Sequence, residues 1–194
     1  MRLFLAGASG VLGVRLVPLL VANGHVVAGM TRSPGKAQRL RALGAEPVVC
    51  DVYDAAALQK AVTAFRPEVV MHQLTDLPDD ETSLANAVDA NARIRREGTR
   101  NLLAAAEGAG ARRFLAQSVA WELTGAGAAA KERLERAVLG VGGVVLRYGR
   151  FYGSGTYHAE PPDPPRTQID EAARRTAALL DAPSGIVEIV EGDV

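Results

Sequence analysis

The chain has 194 residues, 48% of them apolar and 23% charged, and its 22 basic side chains balance 22 acidic ones. That length favours one domain around a single core, and zero formal charge without a Lys or Arg run excludes the electrostatic footprint of a nucleic-acid or anionic-membrane binder. No stretch approaches the roughly 20 apolar residues of a membrane span, the amino terminus has no signal-peptide pattern, and Cys50 is the single cysteine, so a cytoplasmic protein with a small-molecule partner is expected.

Short apolar runs alternate with longer helical patterns from the start. "RLFLAG" reads as a strand, "GVLGVRLVPLLVANG" as a helix that Pro18 should bend, "HVVAGM" as a strand and "PGKAQRLRALG" as a helix. "AEPVVCD", "DAAALQKAVTAF" and "PEVVMHQ" continue the series as strand, helix and strand. A long helix is expected over residues 83–109, with Leu84, Val88, Ala92, Arg95, Leu102 and Ala105 in near-helical spacing. "RRFLAQS" follows as the fifth strand, and a helix over 128–140 carries Leu134 and Val138 before Gly140 stops it. "GGVVLRYG" is a sixth strand, "AEPPDPPR" an extended loop, "TQIDEAARRTAALLD" a last helix and "GIVEIVE" a seventh strand. The runs are Val-rich and continuous, as strands buried on both faces should be. The cadence predicts an α/β fold: one domain over 1–194, with a doubly wound, mostly parallel sheet of about seven strands and helices on both faces.

Gly7-Ala8-Ser9-Gly10-Val11-Leu12-Gly13 lies between the first strand and the first helix. Glycines in this place allow a sharp turn, a close approach to a pyrophosphate and tight helix packing, while the helix amino terminus offers backbone donors to phosphate. The same glycines would also serve a tight structural turn. At the end of the second strand stand Arg32 and Ser33, with Lys36 nearby and no acid. An acid there suits the ribose hydroxyl of NAD, whereas Arg and hydroxyls suit a 2′-phosphate, so NADP(H) is favoured over NAD(H). The other reading of Arg32 and Lys36 is a pair of solvated residues opening a helix. Asp51, ending the third strand, is either an adenine-side group or a helix cap.

"GASGVLG", "DVYD", "EVVMHQL", "EGTRNLLAAAEGAGARRFLAQS", "KERLERAVL" and "VVLRYGRFYGSG" together resemble the NAD(P)-dependent epimerase/dehydratase branch of the short-chain dehydrogenase/reductases. The resemblance implies a Rossmann fold. It also implies that the loop from Gly7 to Gly13 holds the pyrophosphate, Arg32 and Ser33 the 2′-phosphate, and Asp51 with Val52 the adenine. His72, Gln73 and Leu74 would run beside the nicotinamide-side ribose, His72 serving to position the backbone.

The catalytic set of the family is a Ser or Thr after the fifth strand and a Tyr four residues before a Lys. Ser118 and Lys131 match two of these positions, Lys131 also serving the ribose, but the position four before Lys131 is Gly127. The family's later substrate lobe is also expected to be absent. Tyr157 and His158, beside the proline-rich loop, are candidates for the missing acid; Trp121, Glu122, Tyr148 and Tyr152 stand nearby in sequence and have packing or solvent-facing alternatives.

Hydride transfer to a small planar or conjugated acceptor such as a flavin or quinone needs such an acid least, because the reduced anion is stabilised and water can supply the proton. The expected function is therefore an atypical NADP(H)-dependent reductase. A non-redox NADP(H) sensor and a non-redox isomerase or cyclase are the alternatives. No metal site is expected. The resemblance makes the long helix and the Lys131 helix the superfamily's usual dimer face, which raises a homodimer as an expectation.

Overall fold

The central Val-rich runs become strands buried on both faces, whereas the edge strands over Glu46–Val49 and Gly185–Ile189 are only partly covered, and helices connect most of them in the order of the chain. A computed structural model describes residues 1–78 and 81–192, without the side chains of residues 84–86, so Leu84 lies outside the described side chains. Six strands, β1 (Arg2–Ala6), β2 (Val26–Thr31), β3 (Glu46–Val49), β4 (Val69–His72), β5 (Arg113–Val119) and β6 (Val144–Tyr148), follow in chain order. Two short strands, β7 (Arg150–Tyr152) and β8 (Arg166–Gln168), precede β9 (Gly185–Ile189). The main sheet is seven-stranded, ordered β3-β2-β1-β4-β5-β6-β9, with every pair parallel.

The helices are α1 (Gly13–Ala22), α2 (Ala37–Ala42), α3 (Ala55–Phe65), α4 (Val88–Arg93), α5 (Thr99–Gly108), α6 (Gly125–Gly140) and α7 (Ile169–Ala178). Two core clusters lie on opposite faces of the sheet. Leu16, Val17 and Leu20 of α1, Leu40 of α2 and Ala172 and Ala173 of α7 pack on Leu3, Leu5, Met71 and Leu146. Leu58 and Val62 of α3, Leu102 and Ala105 of α5 and Leu134 and Val138 of α6 pack on Phe4, Val70 and Val145. The doubly wound architecture expected from the sequence is therefore present, and the topology reverses between β1 and β4, where such folds open a crevice at the strands' carboxyl ends.

Three boundaries differ from expectation. The long helix over 83–109 is divided into a 3₁₀ run (Glu81–Ala87), α4, a wide π-turn (Ile94–Gly98) and α5. The π-turn buries Ile94 in the core and leaves its neighbour Arg95 only partly covered. Helix α6 starts three residues earlier than its apolar spacing suggests, because Gly127 and Ala130 are small enough to be buried. The chain around the proline-rich loop also pairs β7 with β8 in a separate two-stranded parallel sheet. Helix α1 continues through the exposed Pro18.

Candidate functional site

A cleft of about 830 Å³ opens at the carboxyl ends of the strands, over the β1/β4 switch point. One end is lined by Arg32, Ser33, Lys36, Asp51 and Val52, the middle by the glycine loop with Gln73 and Leu74, and the other end by Ser118, Trp121, Leu123, Tyr157 and His158. Fifteen of the eighteen expected cofactor-side and catalytic positions line this cleft, and Ala8, His72 and Lys131 stand behind it.

The three glycines have different reasons to be glycine. Gly7 has φ +94°, and a Cβ there would lie 2.4 Å from the Gln73 carbonyl oxygen. A Cβ on Gly13 would lie 2.3 Å from the Gly7 oxygen and 2.6 Å from the Ala8 carbonyl carbon, so this residue lets α1 start against the strand end. Gly10 is exposed, and its Cβ would meet only the Gly7 oxygen, at 3.3 Å. Packing does not demand a glycine there; a ligand approaching the start of α1 would. Ala8 and Leu12 are buried in the core, while Ser9 and Val11 line the cleft.

At the end of β2, Thr31 Oγ1 accepts from Ser9 Oγ at 3.0 Å and from the Ser33 amide at 3.2 Å, which fixes the turn carrying Arg32. The Arg32 guanidinium bonds Asp76 at 2.9 Å and is 63% exposed. Asp51 Oδ1 accepts from the Tyr53 amide at 2.9 Å, whereas the cap of α3 is Asp54, which accepts from Ala57. Of the two sequence readings of Asp51, the helix cap therefore fails. The Val52 carbonyl accepts from Asn101 Nδ2 at 2.9 Å, fixing that segment to α5.

His72 is fully buried, its Nδ1 accepting from the Leu74 amide at 3.2 Å and its Nε2 lying 3.1 Å from Thr99 Oγ1. This geometry suits a neutral ring with the proton on Nε2. Burial, helped by the nearby Arg95 charge, lowers its pKa to about 4. The ring thus orients the β4 carboxyl end. Gln73 and Leu74 reach the cleft, Gln73 donating to Tyr148 Oη at 3.3 Å and the Leu74 carbonyl accepting from Gln117 at 2.7 Å.

At the far end, Ser118 donates to Glu135 Oε1 at 2.6 Å, and Arg147 grips the same carboxylate at 3.0 and 2.6 Å. Burial pushes the Glu135 pKa up, but the bonds from Arg147 and Ser118 outweigh it and leave it below the ordinary value. Lys131 Nζ donates to the Trp121 carbonyl at 3.4 Å, and the cleft wall beside it is formed by Trp121 and Leu123. Tyr157 Oη donates to the Pro78 carbonyl, and His158 Nε2 lies 3.8 Å from Glu81.

Sequence reasoning missed Arg95 and Asn91 as cleft residues. A signal existed for the first: Arg95 stands in an otherwise apolar series of helical spacing, where a charge needs a reason. For Glu135, its spacing from Lys131 gave no hint that it would bind Ser118.

Residues 7–146 match the model of the NAD(P)H-binding family. The chain belongs to that family. Its place among the short-chain dehydrogenase/reductases accordingly stands, and nicotinamide-nucleotide binding is the family property. The chain is 39% identical over 184 residues to the 3-diazoavenalumate denitrifying reductase of a Streptomyces species, covering 82% of this chain and 59% of that relative. It is 37% identical over 111 residues to the 4-hydroxy-2-methyl-3-oxo-4-farnesyl-3,4-dihydroquinoline-1-oxide ketoreductase of Stigmatella aurantiaca, covering 50% of this chain and 32% of that one. The chain therefore spans well under two thirds of the length of both. The UDP-glucose 4-epimerase of Thermus thermophilus, solved with NAD, superposes with a TM-score of 0.80 at 21% identity, covering 100% of this chain and 78% of that one. The Thermotoga maritima UDP-glucose 4-epimerase gives 0.80 at 18% identity with the same coverage. These structures establish the fold. No helix among the described residues is long and apolar enough to cross a membrane.

Proposed function

We propose that the chain is an NADP(H)-dependent reductase that passes hydride to a small planar or conjugated acceptor without a tyrosine general acid. The observation that carries this reading is one cleft running from the glycine loop to an aromatic-walled end, beside a helix whose position 127 offers no phenol. Two relatives named as reductases support the reaction class.

The residues fit a dinucleotide. Gly10 leaves the start of α1 open, and no acid stands in that helix's first turn to repel a phosphate. Arg32 and the exposed Lys36 supply positive charge at the end of β2, with Arg32 exchanging Asp76 for the 2′-phosphate. Backbone and side chain of Gln73 and Leu74 border the next segment of the cofactor. When bound, the nicotinamide supplies the hydride. The chain's own part in the reaction is to hold the two planar groups in line and exclude water from between them, with Trp121, Leu123 and Tyr157 as walls.

Ser118 keeps its hydroxyl proton on Glu135, so its oxygen faces the cleft as an acceptor rather than as a free acid. The proton balance is completed by water, which suffices for flavins, quinones and similar acceptors. The test is loss of NADPH absorbance with a panel of flavins, quinones and aryl diazo compounds. Steady turnover with at least one acceptor, faster with NADPH than with NADH, is expected. Tight nucleotide binding with no consumption across the panel would overturn the reductase reading and leave a sensor. Absence of binding would remove both.

A further inference from the structure

We propose that Arg95 anchors an anionic group on the substrate, so that the acceptor is a planar acid whose carboxylate docks on this guanidinium. The proposal rests on the cleft being the substrate site. Arg95 lines the cleft on the π-turn between α4 and α5, beside Asn91, Gln117 and Ser118 in the same lining. Wide turns of this kind interrupt helices where a side chain must be re-aimed, often at functional sites.

The other basic groups of the cleft are accounted for in different ways. Arg32 is paired with Asp76, Arg150 donates to the carbonyls of Asp163 and Pro164 and lies over the Trp121 ring, and Lys36 is exposed at the far end. Arg95 differs from all three. Among the described residues its guanidinium has no hydrogen bond or ion pair, although it is partly buried. A guanidinium carries five donors in a planar fork suited to a carboxylate, and withdrawing it from water without an acceptor is unfavourable.

The acid whose charge it feels, Glu135, is already committed: Arg147 holds both its oxygens and Ser118 donates to one. Arg95, Arg147 and Lys131 thus surround a single buried carboxylate, with only the exposed Glu188 adding a contact to Arg147, at 3.8 Å. Glu135 thus has no oxygen left for Arg95, whose guanidinium an anion in the cleft would satisfy. Burial also lowers the Arg95 pKa, the expected mark of a cation missing its partner.

The cofactor reading already gives the pyrophosphate to the start of α1 and the 2′-phosphate to Arg32, which leaves Arg95 for another anion. The aromatic walls make the matching ligand planar, its ring beside Trp121 and its carboxylate on Arg95.

Calorimetric titrations with cinnamate and naphthoate against cinnamamide and naphthamide, with and without NADP⁺, test the proposal. Charge-assisted hydrogen bonds predict that at least one acid binds about tenfold to a hundredfold more tightly than its amide. Arg95→Met should erase that preference and Arg95→Lys should restore part of it, with NADPH affinity unchanged in both. Equal binding of acid and amide, no binding of either acid, or a preference surviving in Arg95→Met would overturn the assignment. So would a loss of NADPH affinity in place of acid affinity, which would give Arg95 to the cofactor. An acid preference without any nucleotide binding would sink the cofactor reading and leave Arg95 in its role.

Discussion

Gly10→Ala and Gly13→Ala separate a phosphate cradle from a structural turn. At Gly13 the added Cβ would sit 2.3 Å from the Gly7 oxygen and 2.6 Å from the Ala8 carbonyl carbon, both backbone atoms that cannot swing aside. The start of α1 must then shift from the strand end, an overpacking strain of roughly 3 kcal/mol. For a domain of this size that lowers Tm by roughly 6–12 °C. At Gly10 the Cβ meets one oxygen at 3.3 Å and otherwise faces the cleft, so Tm should stay within about 2 °C of the parent. The same methyl stands where a pyrophosphate must approach, and NADPH affinity should fall at least about tenfold, or about 1.4 kcal/mol. Thermal melts and NADPH calorimetry on the two variants read these quantities independently. Gly10→Ala binding NADPH as the parent does would refute the cradle, whatever Gly13→Ala did to stability.

Asp76→Asn should tighten NADPH binding severalfold relative to NADH by freeing Arg32, and Arg32→Ala should narrow the difference between the two nucleotides; parallel titrations check both. Gly127→Ala should raise stability by about 0.5–1 kcal/mol in urea melts, since a Cβ in this helix would meet only Leu123, at 3.8 Å. Stability should also fall on acidification. Burial holds His72 neutral down to about pH 4, whereas the unfolded ring takes up its proton near its ordinary value of about 6.5. Its contribution is therefore complete above about pH 6.5 and drops by roughly 3 kcal/mol on going down to about pH 4. Glu135, whose folded pKa lies below the ordinary one, adds a further loss as the pH falls below the usual carboxylate range. Urea midpoints across this range should lose most of the upper slope in His72→Asn.

The main sheet was legible because most of its strands are short apolar runs separated by helical patterns, so period and length agreed. The pairing of β7 with β8 was not. Those strands are three residues each, and what ties them is remote: Glu191 accepts from Tyr152 Oη at 2.6 Å and pairs with Arg166 at 3.1 Å. The glycine loop was readable residue by residue because backbone crowding leaves few substitutes. The catalytic end was readable only as positions. Ser118 was readable as a family position, but its hydrogen bond to Glu135, a turn beyond Lys131, was not. The charge of Arg95 in an apolar series was a visible signal, but where it points was not, because the π-turn that sets its face has no local pattern of its own.

The missing tyrosine narrows the chemistry more than a single substitution suggests. The four tyrosines of the chain are Tyr53, Tyr148, Tyr152 and Tyr157. Tyr148 is buried, bonded to Thr176 at 2.7 Å, and burial pushes its pKa up. The bond to Glu191 raises that of Tyr152, and burial raises that of Tyr53, whose hydroxyl is enclosed. Tyr157 spends its proton on the Pro78 carbonyl. None is paired with Lys131, whose ammonium rests on the Trp121 carbonyl. A ketone, whose alkoxide is strongly basic, would forfeit the roughly 10² to 10⁴ that a positioned acid contributes. An acceptor that delocalises the new electron pair forfeits far less. On the proposal for Arg95, its guanidinium adds stabilisation for such an anion without supplying a proton, so charge and geometry favour the same class of substrate.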